Sequence, residues 1–105
     1  MVPTDDGDIV PLRISTIRYV EGRGHYVVFH TADGEFSQYA TLKSVEYKLR
    51  GGSFSKCNRC FLVNLSYGEK INGDEAVVCG DGLQISRPQR KAFLSAFSDY
   101  LGGRR

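Results

Sequence analysis

Three turn signals, each set between β-branched or aromatic runs, limit what this chain can fold into. Asp33-Gly34 lies between residues 26–31 (Tyr-Val-Val-Phe-His-Thr) and residues 36–40 (Phe-Ser-Gln-Tyr-Ala). Asn72-Gly73-Asp74 separates residues 67–71 from the run Ala76-Val77-Val78-Cys79, and Gly80-Asp81-Gly82 separates that run from Leu83-Gln84-Ile85. Gly beside Asn or Asp supplies the positive φ of a tight hairpin, so the flanking strands are predicted to pair antiparallel. Parallel pairs need crossovers of a dozen residues or more, and these gaps are too short. Residues 17–21 and 61–63 add two more strands, and residues 9–14 a further one that Pro11 confines to an edge. Seven to nine short strands are expected, with residues 22–25 (Gly-Arg-Gly-His) as a loop.

The period changes at Thr41. Leu42, Val45 and Leu49 are spaced three and four apart, one helical stripe with Thr41 as N-cap, Gly51-Gly52 as stop and Lys43 and Lys48 on the polar side. A second helix opens at Ser86 or Arg87, with Pro88 in its first turn. Its stripe is Phe93, Phe97, Tyr100 and Leu101, with Leu94 and Ala96 beside it, and Gly102-Gly103 ends it. The pattern predicts a mostly β fold with one short mid-chain helix and a C-terminal helix. With 105 residues the chain has room for one domain, placed at 8–101 between flexible tails at 1–7 and 102–105.

Several function classes drop out. No apolar run approaches the ~18 residues of a membrane span, and the first residues lack a signal peptide's apolar core. Cys57, Cys60 and Cys79 are an odd number, which argues against a disulfide framework and for the cytoplasm, with at least two thiols serving as core hydrophobes. There is no nucleophile elbow, phosphate-binding glycine loop or carboxylate pair in an apolar frame, so no catalytic residue, cofactor or small-molecule substrate is expected. Cys57-Asn58-Arg59-Cys60 has the spacing of a zinc knuckle or thiol-redox site. It has no second half, and a strand-like Phe61-Leu62-Val63 follows it, so no metal site is expected.

The net charge is only +2, but it is unevenly spread. Residues 40–65 carry Lys43, Lys48, Arg50, Lys56 and Arg59 against Glu46, and residues 84–105 carry Arg87, Arg90, Lys91, Arg104 and Arg105 against Asp99. Between them, Lys70 faces Glu69, Asp74, Glu75 and Asp81. Two basic segments brought together would make a polyanion-binding face. Three places carry the side chains for it: Arg23-Gly24-His25, Ser55 to Arg59 with Lys56 and Asn58, and the helix start Ser86-Arg87-Pro88-Gln89-Arg90-Lys91. A helix N-terminus offers free N–H groups to phosphate, Arg grips guanine, and Asn or Gln grips adenine. His30, Tyr19, Tyr26, Phe29, Tyr39 and Phe61 read as sheet packing, Asn64 as a structural tie, and Arg104 and Arg105 as a solvated tail. Two other readings stand beside nucleic-acid binding: a protein-interaction β module, and a zinc or thiol-redox domain on Cys57 and Cys60.

The order of these features resembles the LytTR DNA-binding domain of bacterial transcriptional regulators, over about residues 8–101. The resemblance is carried by residues 17–31 (Ile-Arg-Tyr-Val-Glu-Gly-Arg-Gly-His-Tyr-Val-Val-Phe-His-Thr), Asp33-Gly34, the helix at 41–49, and residues 54–64 and 83–91, above all 59–64 (Arg-Cys-Phe-Leu-Val-Asn) and 85–91 (Ile-Ser-Arg-Pro-Gln-Arg-Lys). It implies an elongated stack of small antiparallel sheets. It also implies loops placed in successive major grooves of bent double-stranded DNA, with two copies on adjacent promoter repeats. On that resemblance His25 matches the first contacting loop. Asn58 and Arg59, with Lys56, match the second, and Arg87 and Arg90, with Gln89 and Lys91, the third. The chain departs from the family in three ways. No receiver domain precedes residue 8, so it is expected to be a free-standing regulator or a domain cut from one. Pro88 stands where a basic or polar residue is usual, and Cys57 where a more exposed one is sometimes found.

Overall fold

The strand-forming runs pair as their turns dictate, and each ladder of the computed structural model is antiparallel. The structure describes residues 2–3, 9–10, 14–49 and 53–103. Strands β1 (Val2–Pro3) and β2 (Ile9–Val10) pair with each other. A 3-10 turn over Ile14–Thr16 leads into β3 (Ile17–Arg23), β4 (Tyr26–Thr31) and β5 (Gly34–Tyr39). Helix α1 (Leu42–Leu49) follows, then β6 (Phe54–Asn58), β7 (Phe61–Asn64) and a second 3-10 turn over Leu65–Tyr67. Strands β8 (Gly68–Asn72), β9 (Glu75–Val78) and β10 (Asp81–Gln84) precede the long helix α2 (Arg87–Gly103). The main sheet runs β5-β4-β3-β7-β6 and the smaller one β10-β9-β8.

Ten strands among the described residues replace the expected seven to nine, because two-residue pairings such as β1 with β2 leave no periodic trace in a sequence. Gly22 and Arg23 belong to β3 rather than to a loop, so the turn is Gly24-His25 alone. Gly22 sits in the strand beside Leu42, whose Cβ would lie 3.5 Å from an added Cβ. The expected Pro11 edge position, the Gly51-Gly52 helix stop, residues 1 and 4–7 of the N-terminal tail and Arg104-Arg105 lie outside the described residues.

Two cores lie on opposite faces of the main sheet. On one face α1 lays Leu42, Val45 and Leu49 over Ile17, Val20, Val27, Phe29 and Leu62, each large side chain worth about 1.5–3 kcal/mol when buried. On the other, Val63, Tyr19 and Cys57 meet Ala76, Val78 and Leu83 of the small sheet and Phe93 of α2. Strand β7 lies between β3 and β6 with a core on each face, so Leu62 and Val63 are both fully buried, one in each core. A register shift at Arg18 breaks the alternation of β3, which lets Ile17 and Val20 face one core and Tyr19 the other.

Local chemistry fixes the ends of the elements. The Thr41 hydroxyl accepts the Ser44 N–H at 3.1 Å, capping α1 as expected. Asn64 is buried and ties three segments. Its Oδ1 accepts from Ser53 Oγ, Ser66 N and Ser66 Oγ, and its Nδ2 donates to Ile17 O at 2.9 Å. Three expectations need correction. Tyr26 and Tyr39 do not pack in the sheet but face each other at its open edge, 43% and 71% exposed, with rings edge-on at 5.4 Å. Of the three free thiols, Cys57 alone is buried, because Cys60 and Cys79 fall in hairpin turns. Leu101 is also exposed, lying a further 100° round α2 from Tyr100.

Candidate nucleic-acid interface

Three chain segments meet at one end of the main sheet, and backbone hydrogen bonds stitch each to the next. Strands β3 and β7 run antiparallel with Glu21 opposite Phe61, which brings the β3–β4 and β6–β7 turns out on the same side. Gly22 N donates to Cys60 O at 2.7 Å across that junction. On the other flank of the β6–β7 hairpin, Ser86 N donates to Cys57 O at 2.9 Å.

The first segment is a two-residue hairpin turn. Gly24 takes φ +60, as the first central position of such a turn requires, and His25 occupies the second. Ala40 N donates to His25 O at 3.1 Å, fixing the tip, and the exposed imidazole lies 6.2 Å from the Tyr39 ring. Arg23, one residue before the turn, is held by Glu21, with Nε 3.0 Å from Oε2 and Nη2 3.0 Å from Oε1.

In the second segment a register shift between Lys56 and Asn58 turns Cys57 into the core. Asn58 is fully engaged. Its Oδ1 accepts the Cys60 and Phe61 N–H groups at 2.7 and 3.1 Å, and its Nδ2 donates to Gln84 O at 2.6 Å. The side chain therefore closes its own turn and straps it to β10. Arg59, at the apex, is exposed, and Lys56 is half-buried.

The third segment opens α2. Ser86 stands at the cap position, its carbonyl accepting Gln89 N at 3.1 Å, and Phe93 anchors the helix in the core. Arg87 and Lys91 are exposed and Gln89 is half-buried. Arg90 turns toward the β8–β9 turn, donating to Asp74 Oδ1 at 2.8 Å and Gly73 O at 3.1 Å.

All ten residues singled out from the sequence (Arg23, His25, Lys56, Asn58, Arg59, Ser86, Arg87, Gln89, Arg90 and Lys91) lie on these three segments. They are not equally available. Arg23 and Arg90 are paired with carboxylates, and Asn58 is committed to its turn. Sequence reasoning missed an open, largely apolar cleft of about 600 Å³ between the second and third segments, with Cys60, Phe61 and Pro88 among its walls. Its one signal was Pro88, an apolar residue amid a basic stretch.

The titrating groups sit behind this surface. The Arg23 guanidinium holds the Glu21 carboxyl below the usual carboxylate range, with His30 adding to the effect. His30 stacks on Tyr19 at 4.2 Å, with Nε2 3.1 Å from Glu21 and Nδ1 3.4 Å from Glu35. Burial, and the Asp81 carboxylate that accepts the Tyr19 hydroxyl at 3.2 Å, push the phenol up to about 12. Burial pushes the Cys57 thiol up to about 11, so it stays protonated at neutral pH. Among the described residues no cluster of three His, Cys, Asp or Glu could hold a metal ion, and no helix is long and apolar enough to cross a membrane.

Comparison with known proteins places this arrangement. The family model of the LytTr DNA-binding domain matches residues 7–98. Among solved structures, the fold is similar to the LytTr DNA-binding domain of a methyl-accepting/DNA response regulator from Bacillus cereus. The TM-score is 0.79 at 23% identity, covering 90% of this chain and 92% of that one. A search of curated proteins finds no match.

Proposed function

The chain belongs to the LytTr DNA-binding domain family, and from that premise we propose that it recognises double-stranded DNA sequence-specifically within a bacterial transcription regulator. The family is a DNA-binding module rather than an enzyme family. The reading assigns the contacts to the β3–β4 turn, the β6–β7 turn and the first turns of α2. What carries it is the convergence of those segments, linked by the Gly22–Cys60, Cys57–Ser86 and Asn58–Gln84 hydrogen bonds.

In this reading His25, Arg59 and Arg87 approach base edges. Arg23, Lys56, Arg90 and Lys91 meet phosphate, and Ser86 and Gln89 lie at the helix start, where free N–H groups favour an anion. Asn58 serves chiefly to hold Arg59 in place. On the same reading the turns enter successive major grooves of a bent duplex, with two copies side by side on adjacent repeats.

The test is selection of bound duplexes from a random pool at near-physiological salt. A single enriched sequence motif is the expected result, and DNase protection should extend over two successive grooves. Uniform recovery of all sequences, or full affinity in an Arg59→Ala/Arg87→Ala double variant, would overturn the reading.

A further inference from the structure

The apolar cleft lies inside the surface assigned to DNA, where charged and polar groups would be expected throughout. Cys60, Phe61 and Pro88 line it beside polar residues that include Arg59, Gln84 and Gln89. Cys60 and Pro88 are exposed, so the apolar surface is open to an incoming partner. The Asn58–Gln84 hydrogen bond at 2.6 Å and the Ser86–Cys57 bond at 2.9 Å hold its two sides together, so the cleft is preformed.

We propose that this cleft seats the 5-methyl group of a thymine in the major groove, making Pro88, Cys60 and Phe61 specificity-determining residues. The proposal rests on the DNA-binding reading above. Of all the base edges in the major groove, only thymine offers an apolar group. Guanine, adenine and cytosine would set donors or acceptors against carbon and sulfur walls and leave them unpaired. The polar lining favours the same base pair. The nearby N-terminus of α2 suits a flanking phosphate, and the Gln89 carboxamide has the paired donor and acceptor that fit adenine. Pro88 has no N–H to satisfy at this early helical position and presents a rigid ring to the cleft.

The test exchanges one methyl group at a time in the DNA, leaving the protein intact. A duplex selected by this chain from a random pool is remade with deoxyuridine in place of each thymine in turn. One position should lose about fourfold in affinity, the worth of one buried methyl group, and the others should lose little. In Pro88→Ala, an exposed and helix-compatible change, the thymine-to-deoxyuridine ratio at that position should fall toward one. A selected site that tolerates every exchange, or that lacks A·T pairs, overturns the inference and leaves DNA recognition standing. A sensitive thymine whose ratio is unchanged in both Pro88→Ala and Cys60→Ser places the methyl elsewhere and also overturns it. A pool that yields no enriched duplex overturns the DNA reading itself, and this inference with it.

Discussion

Arg59 and Arg90 carry the same charge into the proposed interface and differ in what each must give up to use it. Arg59 stands exposed on its turn and forms no salt bridge among the described residues. Arg90 is already paired with Asp74 at 2.8 Å, an exposed pair worth under about 1 kcal/mol. Arg59→Ala should therefore cost about 1–3 kcal/mol of specific DNA affinity, and Arg90→Ala clearly less, while Asp74→Asn should strengthen binding by freeing the guanidinium. Titration of the three variants against one duplex checks this, and equal losses for the two arginines would refute it. The charges of the site were legible in the sequence, but their partners were not. Asp74 is 16 residues from Arg90 and reaches it only through the β8–β9 hairpin. Asn58 was read as a base contact by residue type, yet Asn entering a turn is the group best placed to accept the next backbone N–H groups. A second expectation concerns alkali. Tyr19, near 12, and Cys57, near 11, both sit above their usual values of about 10 and 9. The folded state therefore holds these protons longer than the unfolded chain. Their contribution to stability is complete below about pH 9 and is lost between pH 9 and 12. Denaturant unfolding followed across that range should show falling stability, with a shallower fall above pH 10 in Tyr19→Phe. An unchanged profile in that variant would count against the assignment.

The elements were legible where periodicity and turn chemistry agreed. Leu42, Val45 and Leu49 announced α1, and all three are buried. Placement of turns was less legible, because Gly marks several positions within a hairpin. Gly80-Asp81-Gly82 looked like the β9–β10 turn, yet Asp81 pairs with Val78 and the turn is Cys79-Gly80. Both of its residues have positive φ, +51 and +88, the conformation that favours Asn-Gly. Cysteine there is strained, so Cys79→Asn should raise stability by about 0.5–1 kcal/mol, a few degrees in Tm for a domain of this size. An unchanged or lowered Tm would mean the strain is not stored there. The opposite effect is expected at Gly68, where α2 crosses β8. A Cβ added at Gly68 would meet Phe97 Cε1 at 2.9 Å and Leu65 O at 3.3 Å. Gly68→Ala should destabilise by about 1–3 kcal/mol through overpacking, seen as a lower urea midpoint. The register shifts at Arg18 and Cys57, which route side chains between the two cores, left no sequence signal. They arise from packing on both faces of the sheet, which local pattern does not encode.

At the scale of the whole molecule, a net charge of +2 is too small for a general attraction to DNA, so placement has to supply it. Glu69, Asp74, Glu75 and Asp81 all lie on the small sheet or its turns, and Asp74 reaches Arg90 of the third segment. Arg23 and Arg90 bear ion pairs of their own, to Glu21 and Asp74, and a phosphate would have to displace those carboxylates. The cations that need surrender nothing of that kind among the described residues are Lys56, Arg59, Arg87 and Lys91. Each phosphate neutralised on duplex DNA contributes about −0.9 to the slope of log affinity against log salt. With Lys56 and Lys91 on phosphate the slope is about −2 per bound copy, and recruiting Arg23 and Arg90 would steepen it to about −4. The measurement is a titration of a single-site duplex from 50 to 300 mM salt. Arg59→Ala should flatten the slope by about one only if it touches phosphate. If it grips a base edge, affinity should fall at every salt concentration with the slope nearly unchanged, and the loss should vanish on a duplex altered at the contacted base pair. Salt-independent binding would mean the basic segments do not face the duplex, and the convergence of the three segments would then serve the fold alone.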